Sequence, residues 1–67
     1  MSMLSSGHFY IWQDRYGFTV SVLTDHRKRW GATLVESDAP HFPTETEARH
    51  WLDRRVDEVN RNVWVAS

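Results

Sequence analysis

Residues 8–24 read HFYIWQDRYGFTVSVLT and contain two strand patterns separated by a turn. Residues 8–13 hold consecutive bulky side chains, and residues 18–24 alternate between two sets of side chains. The intervening residues 14–17 are typical of a turn, because Gly17 tolerates a positive φ. This stretch therefore predicts two antiparallel strands, each with side chains on both faces of a sheet.

Residues 25–36 predict a charged hairpin loop followed by a third strand. The loop is Asp25-His26-Arg27-Lys28-Arg29, and the strand is residues 30–36, WGATLVE. Beyond it, Pro40 and Pro43 interrupt regular structure. Three predicted strands therefore precede the first helical pattern.

A helix is predicted to begin after Thr44, which caps it, while Glu47 completes a capping box. Apolar residues then recur at spacings of three and four, which indicates one buried stripe: Ala48, Trp51, Leu52, Val56, Val59 and Val63. The other side carries charges of opposite sign four residues apart, in the pairs Glu45–Arg49, Arg49–Asp53, Arg54–Glu58 and Asp57–Arg61. The tail at residues 63–65 either extends the helix or packs back on the sheet.

This order predicts an α+β fold, in which a three-stranded antiparallel meander carries one C-terminal helix on one face (β-β-β-α). Residues 1–7, which lack the features of a signal peptide, are predicted to be a disordered lead to a single domain at residues 8–67. The expected core comprises Phe9, Ile11, Phe18, Val20, Val22, Ala32, Leu34, Trp51, Leu52, Val56 and Val59, with Phe42 closing one end.

The opposite face of the predicted sheet has no charged residue and no obvious cover. We expect it to bind a protein partner or a second copy of the chain, because exposed aromatic surfaces mark interaction sites. Its candidate binding residues are Tyr10, Trp12, Thr19, Ser21, Leu23, Thr33 and Val35. Two alternatives stay open: strand 1 shifted by one residue would expose Phe9 and Ile11 instead, and the tail at residues 63–65 would cover the face.

Composition and the lack of known motifs reduce the classes of function that we expect. The 67 residues include no cysteine and carry a formal net charge of −1, with a pI near 6.4. We expect a cytoplasmic protein without disulfides, and no apolar run long enough for a membrane span. No catalytic motif occurs, and Glu47 and His50, spaced as in metal-binding bundles, lack a second set of ligands. We therefore expect neither an enzyme nor a cofactor, metal or small-molecule substrate.

The run from Phe42 through Thr44, Glu47 and Ala48, after three predicted strands, resembles AP2-type and integrase arm-type DNA-binding domains. The resemblance implies a three-stranded sheet whose exposed face enters the major groove. The alternative function is therefore nucleic-acid binding through the sheet and a basic loop. Its candidate residues are Arg15, His26, Arg27, Lys28 and Arg29. The leading interpretation remains a small non-enzymatic binding module, of the kind encoded by phages and mobile elements as inhibitors or adaptors.

Overall fold

A computed structural model describes the backbone of residues 4–66 and the side chains of residues 4–62. Residues 4–66 form two strands, β1 (Phe9–Asp14) and β2 (Gly17–Val22), and two helices, α1 (Ala32–Asp38) and α2 (Glu45–Ala66). Short 3-10 turns occupy Ser6–His8 and Thr24–His26. Neither helix contains a stretch of the length and apolarity that crossing a membrane requires.

The two predicted strands pair antiparallel, and their register places Phe9 opposite Val22 and Ile11 opposite Val20. Phe9, Val20 and Val22 are buried, whereas Tyr10, on the other face, is exposed. The prediction that Phe9 and Ile11 face the helix is therefore confirmed for strand 1. The turn at residues 15–16 also forms as expected, with Gly17 at a φ of +128°.

The predicted third strand is wrong, because most of its residues form α1 instead. Gly31 takes a left-handed conformation (φ +82°) immediately before the helix. From there, Ala32 and Val35 lie one turn apart and both are fully buried. The β-branched residues of this short segment favour a strand, but two buried positions three residues apart satisfy the core only as a helix. The sheet is consequently two-stranded, and residues 24–31 link a strand to a helix rather than forming a hairpin loop.

The edge of β2 is closed by other groups in place of a third strand. Phe18 and Phe42 exchange two backbone hydrogen bonds, each 2.8 Å long. Further along, the backbone N–H of Val22 donates to a carboxylate oxygen of Glu36 on α1 at 2.9 Å. The backbone groups of Phe18 and the N–H of Val22, on the outer edge of β2, are thus hydrogen-bonded without a third strand.

The long helix α2 begins where the sequence predicts. The hydroxyl of Thr44 accepts a hydrogen bond from the backbone N–H of Glu47 at 3.2 Å and contacts the Glu47 carboxylate at 3.3 Å. The predicted ion pairs Glu45–Arg49 and Asp57–Arg61 form, at 3.7 and 2.8 Å. The other two predicted pairs are not among the ion pairs of residues 4–62; instead Arg55 contacts Asp38 and Glu58. The backbone at residues 63–66 extends the helix, and the predicted side-chain contacts of Val63 and Trp64 lie outside the described residues.

The core lies between one face of the hairpin and the two helices. Its buried members are Leu4, Phe9, Val20, Val22, Ala32, Val35, Leu52, Val56 and Val59, with Ile11, Ala39 and Trp51 packed against them. Two predicted positions are exchanged: Leu34 is half exposed and Val35 is buried, because the helix turns the side chains of this segment differently from a strand.

The segment predicted as a disordered lead contributes to this core in part. Leu4 is buried, and its backbone N–H and C=O both bond to the side-chain amide of Asn60, at 3.0 and 2.8 Å. A 3-10 turn then leads into β1. Leu4 therefore packs on the domain and residues 6–8 form the turn, whereas residues 1–3 of the predicted lead lie outside the described residues.

Gly31→Ala should lower the free energy of unfolding by about 2–4 kcal/mol, because a left-handed alanine is strained and its Cβ would lie 2.5 Å from a methyl group of Val59. Urea denaturation measures the loss. Gly7→Ala is the control, since its nearest neighbour would be the Ser5 hydroxyl at 3.5 Å. A loss of similar size in both variants would contradict this account of Gly31.

Thr44→Ala should reduce stability by about 1 kcal/mol, because the N–H of Glu47 loses its capping acceptor. Thr46→Ala is a matched control, since Thr46 is an exposed residue inside the same helix and alanine has the higher helix propensity. Thermal unfolding followed by circular dichroism distinguishes the two. If Thr46→Ala destabilises as much as Thr44→Ala, the effect does not come from the cap.

Candidate protein-binding face

Residues 4–62 leave one face of the sheet uncovered, on the side opposite the helices. We call it the aromatic face, and it consists of Tyr10, Trp12, Thr19, Ser21 and Leu23. Strand alternation brings these residues to the same side, and the register pairs Tyr10 with Ser21 and Trp12 with Thr19. Tyr10 and Trp12 are 46% and 41% exposed, and Leu23 is exposed at the end of β2. The structure thus brings five of the seven sequence-predicted binding residues to one side of the hairpin, although Thr19 is buried there.

Trp12 is held in a defined position on this face. Its indole N–H donates to the hydroxyl of Ser21 on the neighbouring strand at 2.8 Å. The bond directs the ring across the hairpin, and Thr19, directly opposite Trp12, is 7% exposed. Trp12 therefore presents the ring to solvent while its polar atom is already satisfied. A fixed aromatic side chain loses little conformational entropy when it is buried by a partner.

Two predicted binding residues are not on the aromatic face. Thr33 is an exposed residue of α1, and Val35 is fully buried in the core. The prediction for Val35 fails for the same reason as the third strand. Its signal was present in the sequence, since Ala32, Val35 and Ala39 follow the three-and-four spacing of a helix.

Three large exposed side chains were not predicted as candidates for binding. Trp30 lies just before α1, Leu34 lies within α1, and Tyr16 lies at the hairpin turn. Tyr16 packs its ring edge against His41, with centroids 5.6 Å apart, and Arg15 lies over the Tyr16 ring at 5.7 Å. These residues lie outside the paired strands, so they do not extend the aromatic face along the sheet.

The residues predicted to bind nucleic acid divide between opposite ends of the hairpin. Arg15 lies at the turn between β1 and β2, whereas residues 26–29 follow the far end of β2. Within that loop, Arg27 pairs with Glu36 at 3.4 Å, and Lys28 is exposed. The structure therefore brings the predicted basic residues together only within the loop, where one of them already contacts a carboxylate.

The remaining loop residues form a cluster of cationic and titratable side chains with His8. The rings of His8 and His26 are 4.5 Å apart, and Arg29 donates from Nε to Nδ1 of His26 at 3.1 Å. The Nδ1 atom of His8 accepts from the backbone N–H of Ser5 at 3.0 Å. Desolvation is the largest cause, and the electrostatic influence of Arg29 and then of His26 adds to it in lowering the pKa of His8. This environment favours the neutral His8 ring with its proton on Nε2.

At the other end of β1, Oδ2 of Asp14 lies 2.8 Å from Nε2 of His41, and Oδ1 accepts from the backbone N–H of Tyr16 at 2.7 Å. Desolvation acts to raise the pKa of Asp14. The hydrogen bonds from His41, Tyr16 and Gly17 outweigh it, so the pKa lies below its usual value. Asp14 is therefore a carboxylate near neutral pH, bounding the uncharged part of β1.

Metal-ligating candidates do not converge in the described part of the chain. Among residues 4–62, no three His, Cys, Asp or Glu side chains are grouped as a metal ion would require. His50 lines only a depression on α2, together with Asp53 and Arg54.

Comparison with known proteins gives no match to a family model, to a curated protein or to a solved structure. The resemblance to AP2-type and integrase arm-type domains stays a prediction, although the three-stranded sheet that it implies is not formed by residues 4–66. Its motif positions have local roles here. Thr44 caps α2 by accepting from the Glu47 N–H, its hydroxyl donates to the Glu47 carboxylate, Ala48 is fully buried, and Phe42 bridges to β2.

The low pKa of His8 predicts that acid destabilises the fold. The unfolded chain binds a proton at His8 near pH 6.5, while the folded chain resists it, so stability should fall as the pH drops below about 6.5 and be unaffected by His8 above that value. His8→Asn keeps an acceptor for the Ser5 N–H without a titrating ring. Urea denaturation at pH 7.5 and 5.5 should show a smaller acid-induced loss in this variant, and equal losses would contradict the assignment.

Proposed function

We propose that this protein is a non-enzymatic binding module that recognises another protein through the aromatic face. The observation that carries the proposal is the pair of half-exposed rings, Tyr10 and Trp12, side by side on an uncharged stretch of strand. Side chains of this kind usually anchor protein interfaces, because they bury a large area and lose few rotamers on binding.

The hairpin supports such a role through its rigidity. Beneath the aromatic face, Val20 and Val22 are buried against the helices, so the strand that carries Ser21 is fixed from below. Ser21 in turn holds the Trp12 indole N–H at 2.8 Å. A partner would therefore meet a surface whose shape changes little on binding, which favours affinity.

Protein recognition has more support than nucleic-acid recognition. The aromatic face offers no Arg or Lys, the residues that supply most base and phosphate contacts. Arg27 contacts Glu36, and Arg15 lies at the far end of the hairpin. The net charge of −1 also differs from the basic balance typical of nucleic-acid-binding domains. The proposal includes the cytoplasmic location and the adaptor or inhibitor role expected from the sequence.

Site-specific photocrosslinking tests the proposal. Benzoylphenylalanine in place of Tyr10 should give discrete protein adducts in the cells that encode the chain, and Trp12→Ala introduced into the same protein should reduce their yield about tenfold or more, as loss of a hot-spot aromatic residue does. Mass spectrometry of the adducts identifies the partner. Benzoylphenylalanine in place of Asn62, an exposed residue of α2, is the position control.

Trp30→Ala is the matched control for Trp12→Ala, because Trp30 is also an exposed tryptophan but lies outside the strands. It should leave the Tyr10 adducts unchanged. Equal adduct yields at positions 10 and 62, or equal losses from the two tryptophan variants, would refute recognition through the aromatic face. Adducts to nucleic acid whose yield falls steeply with salt would instead support the alternative function.

A further inference from the structure

The two edges of the sheet differ in whether their backbone groups have hydrogen-bond partners. The edge of β2 is closed by the backbone bridge to Phe42 and by the Glu36 carboxylate. The other edge belongs to β1, and no residue among 4–62 pairs with it. A strand edge with unused N–H and C=O groups is a template for another strand, unless proline, lysine or a covering element prevents it.

The direction of these groups follows from the pairing. The backbone N–H of Leu23 donates to the C=O of His8 at 3.0 Å, so the even-numbered residues of β1 bond to β2. The odd-numbered residues Phe9, Ile11 and Gln13 then direct their backbone groups to the open edge. The N–H of Phe9 bonds to Ser6, which leaves the Phe9 C=O and both backbone groups of Ile11 and Gln13 without a partner among the described residues.

We propose that β1 pairs antiparallel with β1 of a second copy of this chain, about a two-fold axis at Ile11. The proposal extends the proposed function by naming one protein partner, and it rests on the same strand. In this register Ile11 lies opposite Ile11 of the second copy, and the Gln13 N–H donates to the Phe9 C=O of the second copy. The two hairpins become one four-stranded sheet, with both aromatic faces on the same side.

The side chains of β1 are complementary to themselves in this register. Tyr10 of each copy lies opposite Trp12 of the other, and aromatic cross-strand pairs are favourable. At the ends, His8 lies opposite Asp14. The neutral His8 ring carries its proton on Nε2, because Nδ1 accepts from Ser5, and the Asp14 carboxylate is an acceptor. Between these residues β1 contains no charge and no proline, so none of the usual features that block edge pairing is present.

Neighbouring registers are less complementary. A shift that brings Tyr10 opposite Tyr10 places His8 opposite Trp12, and the reverse shift places Asp14 opposite Tyr10. Both shifts leave Asp14 without the His8 ring. The charges and polar groups at the two ends of β1 therefore favour the register centred on Ile11 and favour a second copy over an unrelated strand.

Sedimentation velocity across a concentration series tests the pairing. The wild-type chain should show a concentration-dependent dimer, and Gln13→Pro should raise its dissociation constant about tenfold or more, since each copy loses the donor to Phe9. Gln13→Ala keeps the backbone N–H and should dimerise as the wild type does. A wild type that stays monomeric up to millimolar concentration, or Gln13→Pro and Gln13→Ala with equal dimer affinity, would overturn the proposal.

Disulfide crosslinking tests the register without relying on the proline variant. The chain has no cysteine, so Tyr10→Cys and Trp12→Cys can be mixed and oxidised. Directly opposed residues of a non-hydrogen-bonded pair lie about 4.5 Å apart at Cα. The mixed disulfide should therefore exceed its statistical share. A statistical mixture, or an excess of either self-linked dimer, would overturn the register centred on Ile11.

The outcomes separate this inference from the proposed function. Failure of the edge pairing leaves the Tyr10 photoadducts intact and sensitive to Trp12→Ala, with a partner that is not the chain itself. Failure of the proposed function leaves no specific adduct at position 10 to any other protein, while Gln13→Pro still changes the sedimentation of the chain. An adduct between copies that Gln13→Pro abolishes would support the pairing.

Discussion

The structure depends on the burial of one face of a two-stranded hairpin. Val20 and Val22 of β2 are almost completely buried, and Phe9 joins them from β1. Because side chains alternate along a strand, a slip of one residue would turn Val20 and Val22 toward solvent and place Ser21 in the core, where its hydroxyl would lose contact with water. The hydrophobic contacts with α2 therefore fix the register, and the register in turn assigns Tyr10 and Trp12 to solvent.

The sequence predicts the elements whose pattern is long or reinforced by capping. The hairpin has a clean alternation and a glycine turn, and α2 has a cap at Thr44 followed by a repeated apolar stripe. The segment at residues 30–36 has neither advantage. Val35 and Thr33 are β-branched, and a short apolar run is compatible with both a strand and a buried helix. The helix forms because Val35 and Ala32 can then both reach the core, which is a tertiary effect absent from local preference.

The candidate site was likewise predictable where it lies on the hairpin and not where it depended on residues 30–36. Its strand residues were predictable, since their side is set by the hairpin pattern alone, and Tyr10 and Trp12 lie where that pattern places them. The part assigned to residues 33 and 35 depended on the third strand and was lost with it. The bond between Trp12 and Ser21 could not be predicted, because it depends on the cross-strand offset and on a rotamer. The closure of the β2 edge by Glu36 likewise depends on how α1 packs.

Asn60 couples two distant parts of the chain. Its side-chain amide binds both backbone groups of Leu4, a residue 56 positions earlier. If the helical turn that contains Asn60 unwinds, Leu4 loses these bonds and its hold on the core weakens at the same time. Fraying of the helix and detachment of the segment before β1 should therefore form one cooperative opening unit, with similar amide-exchange rates in both places.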